Sequence, residues 1–228
     1  MQIPLLHTVN EALQPFRRRL RASLFDLLGR PEDAAFWRAR IIPGMFRHDE
    51  MRLLYRTARA APGPGDVAEI GSWKGRTAVL MALALRDAGQ DCKIYAIDHH
   101  EGGEELLGRV AAEGRSLDHF RRNIQLYGLG GRIQEMVMPA DQATKQLRER
   151  GVKLRMAFID GAHDEASVRE DIRNMLPLMN PGAYMAFHDF HFENGTHPGV
   201  GKAFHAELAH LVDVVETASS LLITRLRA

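Results

Sequence analysis

The stretch Val67-Ala-Glu-Ile-Gly-Ser-Trp-Lys-Gly-Arg-Thr-Ala-Val79 constrains this chain more than any other. Val67 to Ile70 reads as a short buried strand, Gly71 to Gly75 as a glycine-bounded turn, and Arg76 to Ala88, rich in Ala, Leu and Met, as a helix. A strand that turns tightly into a helix leaves free backbone N–H groups at the strand's carboxyl end, where α/β sheets bind ligands. Spacing argues against two nucleotide loops. A dinucleotide loop needs G-x-G-x-x-G, and only Gly71 and Gly75 are present. A P-loop needs four residues between its glycines and then Lys; here there are three, followed by Arg76. Glu69 points the same way, because a carboxylate at the strand tip repels phosphate and suits a ligand carrying an ammonium group.

From Asp66 onward strands and helices alternate, which calls for a parallel sheet with helices on both faces. The strands expected are Lys93–Ile97, Ile133–Met138, Leu154–Ile159 and Ala183–Phe187, followed by two closing strands, Leu211–Glu216 and Leu221–Arg225. Helices are expected over Ser116–Tyr127, Gln142–Arg150 (with Asp141 as its N-cap), Glu165–Met179, and on to about His210. Asn180-Pro-Gly182 reads as a turn before the fifth strand. The second strand ends in Asp98, placed to accept hydrogen bonds from ribose hydroxyls or simply to cap the next turn. His99 follows in the same loop, at the edge of any adenosine pocket. Asp160 and the pair His188-Asp189 end the fourth and fifth strands. Adjacent parallel strands would bring the three to one edge, where they could hold a divalent metal or be no more than hydrogen-bonded strand ends. Oxygen ligands alone suit Mg²⁺; an imidazole in the set favours Zn²⁺, Fe²⁺ or Mn²⁺.

The Glu69–Thr77 motif E-I-G-S-W-K-G-R-T resembles the first motif of the class I S-adenosylmethionine-dependent methyltransferases, in the E-x-G-x-x-x-G variant of small-molecule O-methyltransferases. Phe-Ile-Asp-Gly-Ala-His163 and Gly-Ala-Tyr-Met-Ala-Phe-His-Asp189 are similar to two motifs of the metal-dependent members, of catechol, cephalosporin-hydroxylase-like and antibiotic-sugar type. The resemblance implies a doubly wound, Rossmann-like α/β sheet with an antiparallel last strand, covering Asp66 to Ala228. It implies S-adenosylmethionine held by Glu69, Gly71, Ser72, Gly75 and Asp98, with His99 and Asp141 beside the adenosine. It implies a divalent metal, Mg²⁺ first, at Asp160 and Asp189, with His188 either a third ligand or turned away. The catechol-type enzymes place a catalytic Lys three residues after the metal Asp; His163 stands there in this chain, and with an ordinary pKa of ~6.5 it can serve as general base near neutrality. Their second motif ends in Asp-Asn, where this chain has His188-Asp189. The implied reaction is methyl transfer to a small-molecule hydroxyl.

Residues 1–62 carry helical patterns and little chemistry, and are read as a helical cap on a domain spanning 63–228. Leu13, Phe16, Leu20, Leu24 and Leu27 recur at helical spacing in a helix expected to begin near Pro15, and Met51, Leu54 and Tyr55 are expected to point inward from a helix over Asp49–Ala60. The cap would cover the substrate or form a contact between two copies. A net charge of +1 gives no reason to expect nucleic acid or an anionic membrane as partner. The single cysteine, Cys92, forms no internal disulfide, and with no spanning helix or secretion signal in view the expected location is the cytoplasm. Three other readings compete: a phosphate-binding nucleotide enzyme, a metal-dependent oxygenase or hydrolase built on His163, His188, His191 and His197, and a non-enzymatic adenosylmethionine-binding module. The acceptor is not identified by any motif.

Overall fold

A computed structural model describes residues 4–101, 115–190 and 197–227, residues 4–12 by backbone alone. Strands β1 (Asp66–Ile70), β2 (Ile94–Ile97), β3 (Ile133–Met136), β4 (Leu154–Ile159), β5 (Met179–Phe187), β6 (Val212–Ala218) and β7 (Leu221–Leu226) form one sheet in the order 3-2-1-4-5-7-6. The first five pair in parallel, and β7 runs antiparallel between β5 and β6, as expected. The described helices are α1 (Pro4–Leu27), α2 (Pro31–Ala39), α3 (His48–Ala60), α4 (Arg76–Asp87), α5 (Ser116–Leu126), α6 (Ala140–Glu149), α7 (Glu165–Met175) and α8 (Pro198–Glu207).

Side chains alternate across a strand, so the sheet builds a core on each face. Val67, Met156 and Phe158 pack with α4 and with Phe36, Met51, Leu54 and Tyr55 of α2 and α3. Ala68, Ile70, Ala157 and Ile159 pack with Val168 and Ile172 of α7, Leu147 of α6 and Phe204 of α8. Helix α4 is buried without interruption from Thr77 to Leu85. It lies between the sheet and the amino-terminal helices, which is why its sequence is apolar on every side. Met51, Leu54 and Tyr55 are buried as expected.

Strand and helix ends shift by a residue or two or three at several places, and four larger differences from the sequence reading stand out. Helix α1 begins at Pro4 and runs through Pro15, because an interior proline removes one backbone bond and does not end a helix whose other turns are intact. Its apolar row Leu13, Phe16, Leu20, Leu24 and Leu27 faces outward, Leu27 by 84%; the buried side is the one carrying Ala22. Helix α7 stops at Met175 and a 3-10 turn, Leu176–Leu178, follows. Strand β5 then starts at Met179 and swallows the Asn180-Pro-Gly182 turn as a bulge: Leu154 pairs with Met179, but Met156 pairs with Tyr184. Finally, α6 starts at Ala140 with Pro139 as N-cap, so Asp141 sits in its first turn and caps nothing. A carboxylate there still complements the positive end of the helix. Among the described residues no helix is long and apolar enough to cross a membrane.

Candidate active site

The chain leaves β1 for β2 on one side and later returns to place β4 on the other, so a crevice opens at the carboxyl ends of β1 and β4. A cleft of ≈ 620 Å³ occupies it. Its walls include Gly71, Ser72, Asp98, His99, Asp141, Asp160, His163, His188 and Asp189, nine of the residues singled out from the sequence. Gly44, Met45 and Phe46, from the connection between α2 and α3, close one side. A second hollow of ≈ 500 Å³ lies by Gly65, Asp66, Cys92 and Arg155, at the opposite ends of the strands and away from all of these groups.

The glycine loop is shaped by close approach. Gly71 has φ 88°, and a Cβ there would sit 2.0 Å from the Asp160 carbonyl oxygen. No side chain fits, and the strand tips of β1 and β4 meet through that gap. Gly75, the N-cap of α4 at φ 84°, rests against Phe120, 3.0 Å from where a Cβ would be. Trp73 adopts φ 41°, an uncommon conformation for a residue with a side chain. Its N–H donates to Asp98 Oδ2 at 2.7 Å, while Asp98 Oδ1 accepts from the His100 N–H at 2.7 Å. Asp98 therefore ties the β1 loop to the β2 loop as well as facing the cleft.

Glu69 and Gly75 are not among the cleft's walls. Glu69 lies beneath the loop, fully buried, and neither of its oxygens has a hydrogen-bond partner among the described residues. Burial pushes its pKa up to about 8; the nearby Thr77 and Ser72 hydroxyls pull the other way without reaching hydrogen-bond geometry. Thr77 and Ser72 do line the cleft. An orphaned buried carboxyl under a glycine cradle is the feature of this structure that fits a ligand with an ammonium group.

At the other end, charges are paired. His188, buried, has Nδ1 2.9 Å from Asp160 Oδ1 and 3.2 Å from Asp189 Oδ2, and Nε2 3.4 Å from Glu50 Oε2. Desolvation disfavours its charged form, yet Asp160, Asp189 and Glu50 outweigh that and push its pKa to about 12. As an imidazolium it donates from both nitrogens. The Phe46 ring stacks on it at 4.4 Å and 30°. Asp189 holds φ 52°, and its Oδ2 also lies 3.1 Å from His163 Nε2. Desolvation would raise Asp189, but hydrogen bonds from His163 and His188 hold it well below the usual carboxylate range. Asp160 is raised, chiefly by burial, against the pull of His188. His163 does not cap α7: Asp164 does, accepting from the Ser167 N–H at 3.0 Å.

Asp160, His188 and Asp189 each offer one ligand atom, all within 4.8 Å of one another, and so do His163, Asp189 and His197. The two carboxylates fit a divalent cation, and the His188 imidazole would complete the donor set once the cation displaces its proton. Of the histidines weighed for a separate metal chemistry, His163, His188 and His197 gather around Asp189; His191 lies outside the described residues.

Sequence reasoning missed Glu50. This α3 residue is 1% exposed, and its carboxylate accepts from the Arg47 N–H at 2.7 Å, the Ser220 N–H at 3.0 Å and the Ser220 hydroxyl at 2.7 Å, besides His188. Those bonds overcome desolvation and lower its pKa to about 2. The signal available was its place in the first turn of a helix, which reads as capping and gives no hint of a partner 138 positions along the chain.

Comparison with known proteins agrees with this geometry. The model of a family described as a methyltransferase domain matches residues 68–190, from β1 to just past Asp189. A curated relative, the 8-demethyl-8-(2,3-dimethoxy-alpha-L-rhamnosyl)-tetracenomycin-C 4'-O-methyltransferase of Streptomyces olivaceus, is 26% identical over 67% of this chain, which spans 63% of the relative's length. The O-methyltransferase NovP superposes with a TM-score of 0.66 at 19% identity, over 81% of this chain and 82% of its own. An O-methyltransferase from Bacillus cereus, solved in complex with SAH, gives 0.63 at 17% identity over 91% and 97%. The sheet order, the glycine cradle between β1 and β4, and a family match running through both ends of the cleft lead to one assignment: the chain belongs to the methyltransferase-domain family.

Proposed function

We propose that this protein is an S-adenosylmethionine-dependent O-methyltransferase acting on a small-molecule hydroxyl, with a sugar hydroxyl of a glycosylated compound as the first acceptor to try. The observation that carries the reading is the single cleft joining the Gly71 cradle to the His163–Asp189 pair. The Streptomyces relative, whose name places its reaction on a rhamnosyl hydroxyl, supports the acceptor class. When bound, S-adenosylmethionine supplies an activated methyl group, and a divalent metal held by Asp160 and Asp189, with His188 joining them only once the metal displaces its proton, would supply Lewis acidity toward the acceptor oxygen.

The chain's own residues orient and deprotonate. Gly71 and Ser72 offer close backbone approach, Asp98 presents acceptor oxygens for ribose, and Glu69, protonated in the free protein, lies beneath the ammonium position and ionises against it when the donor binds. His99 and Asp141 border the adenosine side of the cleft. His163 takes the acceptor's proton. With Nε2–H donated to Asp189, Nδ1 is the accepting nitrogen, and Asp189 stabilises the imidazolium that forms. His188 neutralises Asp160 and Asp189 and keeps the acidic end of the cleft in place.

The test is calorimetry with S-adenosylmethionine, adenosylhomocysteine and ATP, followed by mass spectrometry of a panel of rhamnosides and phenols incubated with enzyme and donor. Binding of the first two and a product heavier by one methylene unit are expected. Binding of ATP alone would return the protein to the nucleotide enzymes. Loss of turnover in chelator with donor binding intact would place the metal in the reaction; full turnover in chelator would remove it.

A further inference from the structure

His163 and Asp189, the pair that the proposed reaction uses to take a proton, have a further partner in His197, which that reaction does not use. His163 lies on the loop after β4, Asp189 at the end of β5, and His197 at the start of α8. The imidazoles of His163 and His197 lie 4.1 Å apart at 31°, and His163 Nε2 is 3.1 Å from Asp189 Oδ2. All three residues are half-buried, and each offers one ligand atom within 4.8 Å of the others. We propose that His163, Asp189 and His197 form a metal site for a borderline transition ion, Zn²⁺ or Co²⁺, separate in chemistry from the oxygen-rich set formed with Asp160.

The backbone is built to bring these residues together. Gly199, two positions after His197, approaches the His163 loop so closely that a Cβ would lie 2.3 Å from the His163 carbonyl oxygen and 2.6 Å from the Glu165 nitrogen. Only glycine allows that approach, and it fixes the first turn of α8 against the His163–Glu165 segment. Pro198 starts the helix with a preset φ, so His197 is held at the junction.

Two imidazole nitrogens and one carboxylate oxygen, with positions left for water, form the donor set of open Zn²⁺, Co²⁺ and Fe²⁺ sites and a poor one for Mg²⁺. The inner set differs because its one imidazole, His188, is held on its far nitrogen by buried Glu50. Asp189 belongs to both sets. An ion in the outer set therefore replaces the proton between His163 and Asp189 and draws on a carboxylate the inner set shares. This assignment stands apart from the methyl-transfer reading, since ion binding can be observed with neither donor nor acceptor present.

The experiment is a Co²⁺ titration of chelator-treated protein, followed by visible absorption and repeated in excess Mg²⁺, with Zn²⁺ calorimetry in parallel. A visible d–d band should grow to one equivalent, persist in excess Mg²⁺ and be displaced by Zn²⁺. His197→Ala should lose the band and weaken Zn²⁺ binding by about tenfold or more, the least a lost ligand costs when outer-shell partners alone are worth that. His197→Cys, which restores a soft ligand, should recover Zn²⁺ binding. Circular dichroism and S-adenosylmethionine calorimetry on each variant separate loss of the ion site from loss of the fold or failure of the methyltransferase reading. A band that is absent, that Mg²⁺ abolishes, or that survives unchanged in folded His197→Ala would overturn the site.

Discussion

Glu69, under the glycine loop at one end of the cleft, and Glu50, under His188 at the other, are equally shut off from water and opposite in charge state. Glu50 gathers two backbone N–H groups, a hydroxyl and an imidazolium, and its pKa falls to about 2. Glu69 has none of these and rises to about 8. Both are closed to solvent, but Glu69 lies deeper and has no donors to offset its desolvation, whereas the partners of Glu50 overcome its own. One end of the cleft is thus complete in itself, a finished network of paired charges. The other is a hole in the hydrogen-bond ledger, and a cationic ligand would fill it.

Substitutions at five positions can break or sharpen that contrast. Gly71→Val has the largest expected effect: with 2.0 Å between a Cβ and the Asp160 carbonyl, donor binding should vanish in calorimetry and β1 and β4 should part at their tips. If the variant bound S-adenosylmethionine as the parent does, the cradle would have no role.

His163→Ala should lower kcat by ~10²–10⁴ with donor affinity nearly unchanged, and should remove the acidic limb of the pH–rate profile. A mutant that keeps both rate and limb assigns the proton to another group.

The two glutamates should respond in opposite directions. Glu50→Ala leaves the His188 imidazolium short of a carboxylate and should cost roughly 3–5 kcal/mol in denaturant unfolding. Glu69→Gln should stabilise the ligand-free protein while weakening the donor, the trade expected where function keeps a destabilising group. The pH signs follow. Glu50, depressed from 4.5 to about 2, contributes stability that is present above pH 4.5 and is lost as pH falls toward 2. His188, raised from 6.5 to about 12, contributes stability that is full below pH 6.5 and declines as pH rises toward 12. Glu69, raised from 4.5 to about 8, disfavours folding once the unfolded chain ionises, so its effect grows from pH 4.5 to 8. A melting series from about pH 2 to 10 on both variants reads all three. Equal shifts of the same sign would erase the contrast.

Asp98→Ala has the smallest expected effect, a weakening of donor binding by ~1–3 kcal/mol, some of it through release of Trp73 and His100. Asp98→Asn separates the two roles, because an amide keeps one acceptor oxygen for the loop.

The doubly wound sheet was legible in the chain because strand and helix periods alternate from Asp66 onward, and each period reports a local backbone state. The glycine loop was legible because its meaning lies within nine consecutive residues. Asp160, His163, His188 and Asp189 could be placed at one edge from topology alone, since parallel strands bring their carboxyl ends together. What the chain did not disclose is contact between distant segments. Glu50 comes 138 positions before His188 and reads locally as the first turn of a helix; only the packing of α3 beside β5 and the Ser220 turn makes it a counter-ion. Pro15 and Pro181 read as breakers, yet a long helix and a bulged strand absorb them, because neighbouring hydrogen bonds outlast one missing donor. The same holds for charge. Sequence names Glu69 and Glu50 alike as glutamates, and their charge states diverge only when the tertiary structure brings hydrogen-bond donors to one and withholds them from the other, because a buried carboxyl takes its ionisation from its neighbours.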